Sequence, residues 1–424
     1  MLKYLTVDIT PLRVSRDYRL LFFGQLISFF GTMMSFVAMN WQMFELTQSS
    51  AMVGYIALAE FFPMFFLAFV GGAIADAFDK RKILRLTEIG QTLTTAILLI
   101  NALLPTPQVW LIFVIAALHA GFAALQRPAF ESFIQKVVPK EQMTAVMALN
   151  SMRWSIGAII SPAIAGVITT SFGVSIAYGI DLISFAGTLI AVFMLNYVPS
   201  PENADKPSLK SIFEAWKYGL TRQYLLGTYL IDIMAMFFAF PQALYPALAT
   251  TYGKQYVGFF PASIAVGALA ASLTSGWTKF IHRHGLMITI VAILWGVAIM
   301  FFGFATNLWV ALFFLMLAGF FDMLSGIFRG AVWNQTIPNY LRGRMASIEM
   351  ISYLTGPYLG SAKMGIVAEK YNIPTALISG GILCVVAIII TAIFLPKFLK
   401  YDGRDGIKQR EYEEKLRESG FVKG

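Results

Sequence analysis

Charge is scarce in this chain of 424 residues: 13% are Asp, Glu, Lys or Arg, whereas roughly a quarter are charged in a soluble domain. An ordinary soluble globular fold is therefore excluded. Cysteine is scarcer still. The single Cys384 leaves no intrachain disulfide framework, and its place inside an apolar run says nothing of redox compartment. Histidine occurs three times, at His119, His282 and His284, never as HExxH. No Gly-x-Ser-x-Gly elbow and no phosphate-binding loop occurs either. Hydrolytic, metal-dependent and ATP-driven chemistry is thus left without its usual groups. An enzyme, a cofactor and a metal site are not expected. The formal charge of +9 could suggest nucleic acid, but the basic residues lie at the ends of apolar runs, where membrane topology accounts for them. No nucleic-acid partner is expected.

What the chain has in abundance is apolar surface: 58% hydrophobic residues, 15% aromatic, and a mean hydropathy of +0.69. That excess must face a lipid bilayer. A run of about 20 apolar residues spans the hydrocarbon core as a helix, and about twelve such runs occur. Their cores lie near 18–44, 51–76, 83–104, 108–127, 145–170, 175–197, 222–250, 255–279, 286–305, 307–332, 346–369 and 374–396. The first is too long for a signal-peptide core and lacks a small-residue cleavage site, so it reads as a retained span. The expected fold is all-α and integral to the membrane. Pro199, Pro201 and Pro207 mark a polar stretch that halves the chain. Residues 1–17 form a cytoplasmic segment, 18–197 a first six-helix bundle, 198–221 a central cytoplasmic loop, 222–396 a second bundle, and 397–424 a charged cytoplasmic tail.

Orientation follows from lysine and arginine. With the N-terminus inside, all of the 32 except Lys254, Lys363 and Lys370 fall at or near the cytoplasmic side, which puts both termini inside. In the tail, Glu411/Lys415 and Glu413/Arg417 have the i,i+4 spacing of a solvated helix. The halves also echo each other. Gly72 and Gly276 each precede a basic corner, and one interval, 203 residues, separates His119 from Asp322 and Gln126 from Arg329. Duplicated six-helix halves produce such spacing.

The stretch from Gly71 to Lys82 is the most informative: a small-residue helix end, the carboxylate of Asp76, and then Asp79-Lys80-Arg81-Lys82. Gly72-x-x-x-Asp76 with this cluster resembles the loop signature of the major facilitator superfamily, Gly-x-Leu-Ala-Asp-Arg-x-Gly-Arg-Lys. Ala77 stands where that signature has arginine, and Asp79 where it has glycine. Four further segments are similar to the bacterial efflux branch that contains enterobactin-type siderophore exporters and macrolide exporters. They are Asn101-Ala102-Leu103-Leu104-Pro105, Leu244-Tyr245-Pro246-Ala247-Leu248-Ala249, Gly267 to Gly276, and Leu341-Arg342-Gly343-Arg344-Met345. The resemblance implies two pseudo-symmetric six-helix bundles, a monomer in a bacterial inner membrane, and alternating access. It also implies a cytoplasmic gate built from Gly72, Asp76, Asp79, Lys80 and Arg81, with Arg81 or Arg344 as cation for Asp76.

Ionisable residues inside spans cost about 2.5–3.5 kcal/mol at a helix centre and usually face the bundle interior. On the tenth span Asp322, Ser325 and Arg329 fall at i, i+3 and i+7, a polar stripe on one face. His119 and Gln126 on the fourth span repeat the i,i+7 spacing, and Gln25, Ser28 and Thr32 on the first have the same pattern. The resemblance places these stripes, with Asp232 of the seventh span, around one substrate pathway, and Phe237 of the same span is a candidate to stack on a ring system of the substrate. An Asp/Arg pair that only locks helices together remains the alternative. Asp322, Asp232, His119 and Glu60 are the groups able to carry a coupling proton. Glu88, Asp181 and Lys363 are expected in structural or interfacial roles. Pro162 and Gly166, and Gly356 and Pro357, are candidate helix-bend residues; the former resemble the Gly-Pro-rich motif of drug–proton antiporters. The expected function is proton-coupled export of a small amphipathic or anionic compound, a siderophore or drug. An importer or lipid flippase of the same fold, and a non-transporting receptor, remain open beside it.

Overall fold

The computed structural model describes residues 8–196 and 216–418, with their side chains apart from those of 68–77, 343, 344, 347, 409 and 416–418. Helix is the only regular structure among these residues. The reason is the solvent: in lipid, backbone N–H and C=O groups must be satisfied within the segment itself. The long helices are α1 (Arg16–Thr47), α2 (Ser50–Ala77), α3 (Lys80–Leu103), α4 (Val109–Val137), α5 (Met143–Phe172), α6 (Val174–Phe193), α7 (Gln223–Ala239), α8 (Tyr245–Tyr252), α9 (Phe259–Leu273), α10 (His284–Gly303), α11 (Leu308–Thr336), α12 (Arg342–Lys370), α13 (Ile373–Phe394) and α14 (Gly403–Glu418). Eleven stretches of the described residues are long and apolar enough to cross a membrane. α12 is not among them. It has the length, 29 residues, but Glu349, Lys363, Glu369 and Lys370 interrupt its apolar sequence, and Ser352 and Ser361 are buried against its neighbours.

Local chemistry sets the ends of these helices. Ser15, Asp79, Asn307 and Asn372 each accept a backbone N–H in the first turn of α1, α3, α11 and α13, which satisfies donors that a helix start leaves unpaired. Gly173, at φ +93°, makes the sharp passage from α5 to α6 that a side chain would resist. Two apolar runs are less regular than their composition suggests. The seventh breaks at Phe240-Pro241, where Phe240 is extended and a 3-10 turn, Gln242–Leu244, leads into α8; Pro241 cannot supply the N–H needed to continue α7. The eighth stops at Leu273, and Gly276 lies in a 3-10 turn, Ser275–Phe280.

The chain divides into two compact units, Met1–Lys206 with Tyr245–Ala262, and Pro207–Leu244 with Ser263–Gly424. In the first unit α1 packs on α5 and α6, and α4 packs on α2 and α3. One end of the unit is closed by an apolar core that includes Tyr18, Leu21, Leu84, Phe133 and Leu149. The backbone of Gly258 presses on the Pro162 carbonyl and Gly166 of α5, too close for any side chain at 258. In the second unit α7 lies against α10, α12 and α13, and α11 against α10.

The tail helix α14 is docked in the second unit rather than free. Glu413 pairs with Arg222 at 2.7 Å, both about one-fifth exposed, and the Arg222 guanidinium lies 3.5 Å from the Tyr218 ring centre. The Tyr218 hydroxyl is 3.0 Å from both Glu413 Oε2 and the Thr336 carbonyl. Burial raises the Tyr218 phenol above its ordinary range, so it serves as a donor at any physiological pH. Glu414 accepts the Asn339 N–H, and Arg410 donates to the Asn334 carbonyl. Glu413 thus serves Arg222 across the fold, while the side chain of Arg417, its i+4 neighbour, lies outside those described. A double-mutant cycle of Arg222→Ala and Glu413→Ala, read by thermal unfolding of detergent-solubilised protein, is expected to give a coupling of about 1 kcal/mol. Strictly additive losses would mean the contact contributes nothing.

Candidate functional site

The strongest charge constellation is built on α11 and α7. Arg329 is 4% exposed in its side chain and forms an ion pair through Nη1 with Oδ1 of Asp232, itself 5% exposed. Its other amino nitrogen, Nη2, is 3.9 Å from Asp322 Oδ1, whose side chain is 38% exposed. One guanidinium therefore holds two carboxylates in unlike surroundings, one enclosed and one open. The Ser352 hydroxyl of α12 donates to Asp232 Oδ2 at 3.3 Å, and the Tyr353 ring centre lies 5.3 Å from the guanidinium carbon. Arg329 Nε has no acceptor among the described residues. Asp232, Asp322, Ser325, Trp295 and Phe321 line a narrow cleft with room for about one water molecule.

Helix register places these groups together. One turn from Asp232 the Thr228 hydroxyl accepts a hydrogen bond from Trp333 Nε1 at 2.9 Å, and Trp333 is one turn from Arg329 in the opposite chain direction. That is the pairing antiparallel helices produce. On the other side Gly356 and Gly360 of α12 lie on the backbone of α7 at Ile233, Met236 and Phe237; a Cβ at 356 would stand 2.7 Å from the Met236 Cβ. Their small size lets α12 approach, which brings Ser352 and Tyr353, about one turn earlier, to Asp232 and Arg329. Lys363 donates to the Phe238 carbonyl at 3.1 Å, supplying a cation where α7 ends.

The second unit thus brings together Asp232, Asp322, Ser325 and Arg329. Phe237 packs its ring on Phe238, 5.0 Å between centres, and does not line the cleft. In the first unit His119 and Gln126 are engaged with α3. His119 Nδ1 is 3.0 Å from Thr94 Oγ1, and Gln126 donates to Glu88 Oε2 at 2.6 Å. Ser28 is buried on α1 with Gln25 and Thr32 half-buried beside it, and Glu60 is half-buried on α2; none of the four has a hydrogen-bond or ion-pair partner among the described residues. Asp181 and Glu88 are both 0% exposed. Asp181 accepts from Ser35, from Thr95 at 3.3 Å and from Ser184 at 3.3 Å. From the sequence both are expected in structural or interfacial roles, although Glu88, Gln91 and Thr95 recur at i, i+3 and i+7 on one face of α3.

At the basic corner Asp79 caps α3 by accepting the Arg81 N–H at 2.9 Å, which explains a carboxylate in the position of the usual glycine. Arg81 donates to the Leu195 carbonyl at 3.2 Å and Arg85 to the Phe193 carbonyl at 2.9 Å. Both cations satisfy the end of α6. Lys80 is buried at 3% exposure. The side chains of Gly72, Asp76 and Arg344 lie outside those described. Pro162 and Pro357 lie inside continuous helices.

The chain has known relatives. A family of transmembrane secretion effectors within the major facilitator superfamily matches residues 6–422. The chain belongs to this family. Among curated proteins it is similar to the enterobactin exporter EntS of Citrobacter koseri, 25% identical over 387 residues, covering 91% of this chain and 93% of that one. EntS of Escherichia coli O1:K1 is 26% identical over 361 residues, covering 85% and 87%. Among solved structures, a POT family transporter in complex with a thioalcohol-conjugated peptide superposes with a TM-score of 0.69 at 12% identity, over 90% of this chain and 96% of that one. A bacterial homologue of the iron transporter ferroportin gives 0.67 at 12%, over 91% and 98%. At such identities these structures speak for the fold alone: this secretion effector is an all-α, multi-pass membrane protein with the major facilitator architecture.

Proposed function

We propose that the protein is a secondary transporter that exports a small amphipathic or anionic compound, of siderophore or drug type, in exchange for protons. The observation that carries the coupling is the Asp232–Arg329–Asp322 constellation. Two carboxylates share one cation, so the group has a net charge of −1 that a single proton neutralises. The proton goes to Asp322, the more exposed member, because Asp232 is enclosed and held by both Arg329 and Ser352. Exchange requires that proton and cargo exclude each other: the cargo is held while Asp322 is ionised and leaves when Asp322 takes the proton.

The secretion-effector family and the likeness to enterobactin exporters support export of a small molecule. The positive-inside pattern supports cytoplasmic termini, and the resemblance of the Gly71 to Lys82 corner to the superfamily loop supports two six-helix halves in a bacterial inner membrane with a cytoplasmic gate at Gly72 to Arg81 with Arg344. A monomer is sufficient for this scheme. Uptake into inverted membrane vesicles tests it: catecholate siderophores, macrolides and dyes are offered with and without a pH gradient. At least one is expected to accumulate only when the vesicle interior is acidic. Accumulation indifferent to the gradient would refute proton coupling.

A further inference from the structure

We infer that Glu88 carries a proton on Oε1 that it shares with Gln91 Oε1, making it a second proton-coupling carboxyl, lodged in the first unit. Glu88 is 0% exposed and Gln91 5% exposed. Gln126 donates to Glu88 Oε2 at 2.6 Å, yet Glu88 Oε1 has no partner among the described residues, and neither has Gln91 Oε1. Both unpartnered atoms are acceptors. They sit one helical turn apart on the same face of α3, where i,i+3 side chains are neighbours. A hydroxyl on Glu88 Oε1 pointing to Gln91 Oε1 satisfies both with one hydrogen, whereas an ionised Glu88 would leave a buried charge and two bare acceptors.

Among the described residues no cation is paired with Glu88. From α6 the facing acid is Asp181, also 0% exposed and held by Ser35, Thr95 and Ser184. From α4 the titratable group is His119, which bonds Thr94, while Arg127 and Glu131 form an exposed pair with each other. From α2 it is Glu60, half-buried. On α3 itself Arg85 is turned to the Phe193 carbonyl and Arg81 to that of Leu195. No ion pair reaches Glu88 or Asp181 among the described residues. Loading forms the O–H bond at Oε1 and neutralises the side chain. Release breaks that bond, leaves the carboxylate, and passes the proton to water that reaches α3 when its packing on α4 loosens.

The coupling role rests on the proton-driven export proposed above, but the protonation itself does not, and the two are read separately. Infrared spectra of the purified full-length protein at neutral pH are expected to contain the carbonyl stretch of a buried carboxylic acid that Glu88→Gln removes and Asp322→Asn leaves in place. Gln is isosteric with the protonated acid, accepts from Gln126 and donates to Gln91, so this variant folds. An acid band unchanged in Glu88→Gln, or one that appears only after sodium is withdrawn, overturns the inference. In proteoliposomes Glu88→Gln is expected to slow pH-gradient-driven export roughly tenfold or more while leaving substrate exchange without a gradient intact. Undiminished gradient-driven export would make the proton a resident one and end the coupling role. If Asp322→Asn exports normally while Glu88→Gln does not, the second-unit site fails and the first-unit site stands.

Discussion

Arg329→Leu is expected to lose about 3–5 kcal/mol of stability, because Asp232 is left at 5% exposure with no cation to face. Export should vanish with it. Stability alone would not show what the arginine does, so the informative comparison is Arg329→Leu combined with Asp232→Asn. Removing both charges takes away the uncompensated ion, and most of the lost stability should return. Export should not, since the double variant has neither a group to bind an anion nor a competitor for the proton on Asp322. Arg329→Lys falls between the two: an ammonium can neutralise Asp232, but it lacks the planar fork that reaches two carboxylates at once. Thermal unfolding in detergent and vesicle export measure the two halves of this expectation. A single variant as stable as the double would show that the buried pair is not the charge balance described here, and a double variant that still exports would reduce it to a helix lock.

Asp322→Asn is expected to behave in the opposite way. Its side chain is 38% exposed and 3.9 Å from Arg329, so its contribution to stability should be under about 1 kcal/mol. Its contribution to transport should be complete, because asparagine holds the site permanently in the neutral form. The gradient can then no longer be used, and export driven by an acidic compartment should fall to background. Export that still follows the pH gradient in Asp322→Asn would remove Asp322 from the coupling step. The pair of experiments separates the arginine from the acid: one variant loses fold and function together, the other only the coupling.

Much of this was legible in the sequence, and the parts that were not have common physical causes. The i, i+3, i+7 stripe of Asp322, Ser325 and Arg329 could be read because helix periodicity puts those residues on one face whatever lies opposite. That Asp232, nearly a hundred residues earlier, holds Arg329 is settled by the register of α7 on α11, through Trp333 and Thr228, and by Gly356 and Gly360 bringing α12 close. His119 and Gln126 had the same spacing as Asp322 and Arg329, yet they bond Thr94 and Glu88 of α3. Spacing states which residues share a face; it does not state which neighbour that face meets. Asp79 departs from the expected loop pattern and is explained by a single hydrogen bond, a cap on α3.

Composition and periodicity by themselves determined that the chain is helical, that it crosses a membrane many times, and which side chains would be costly there, because lipid leaves a polymer few choices and burial of charge is expensive in any fold. The tertiary structure alone decided the partners. It set Glu413 on Arg222 across the fold, gave Lys363 to the end of α7, and left Glu88 Oε1 and Gln91 Oε1 one turn apart with no donor to either among the described residues. Ion pairs and hydrogen bonds are short-ranged and directional, so they follow from which helices touch and in what register, and neither is written into a single segment of the chain.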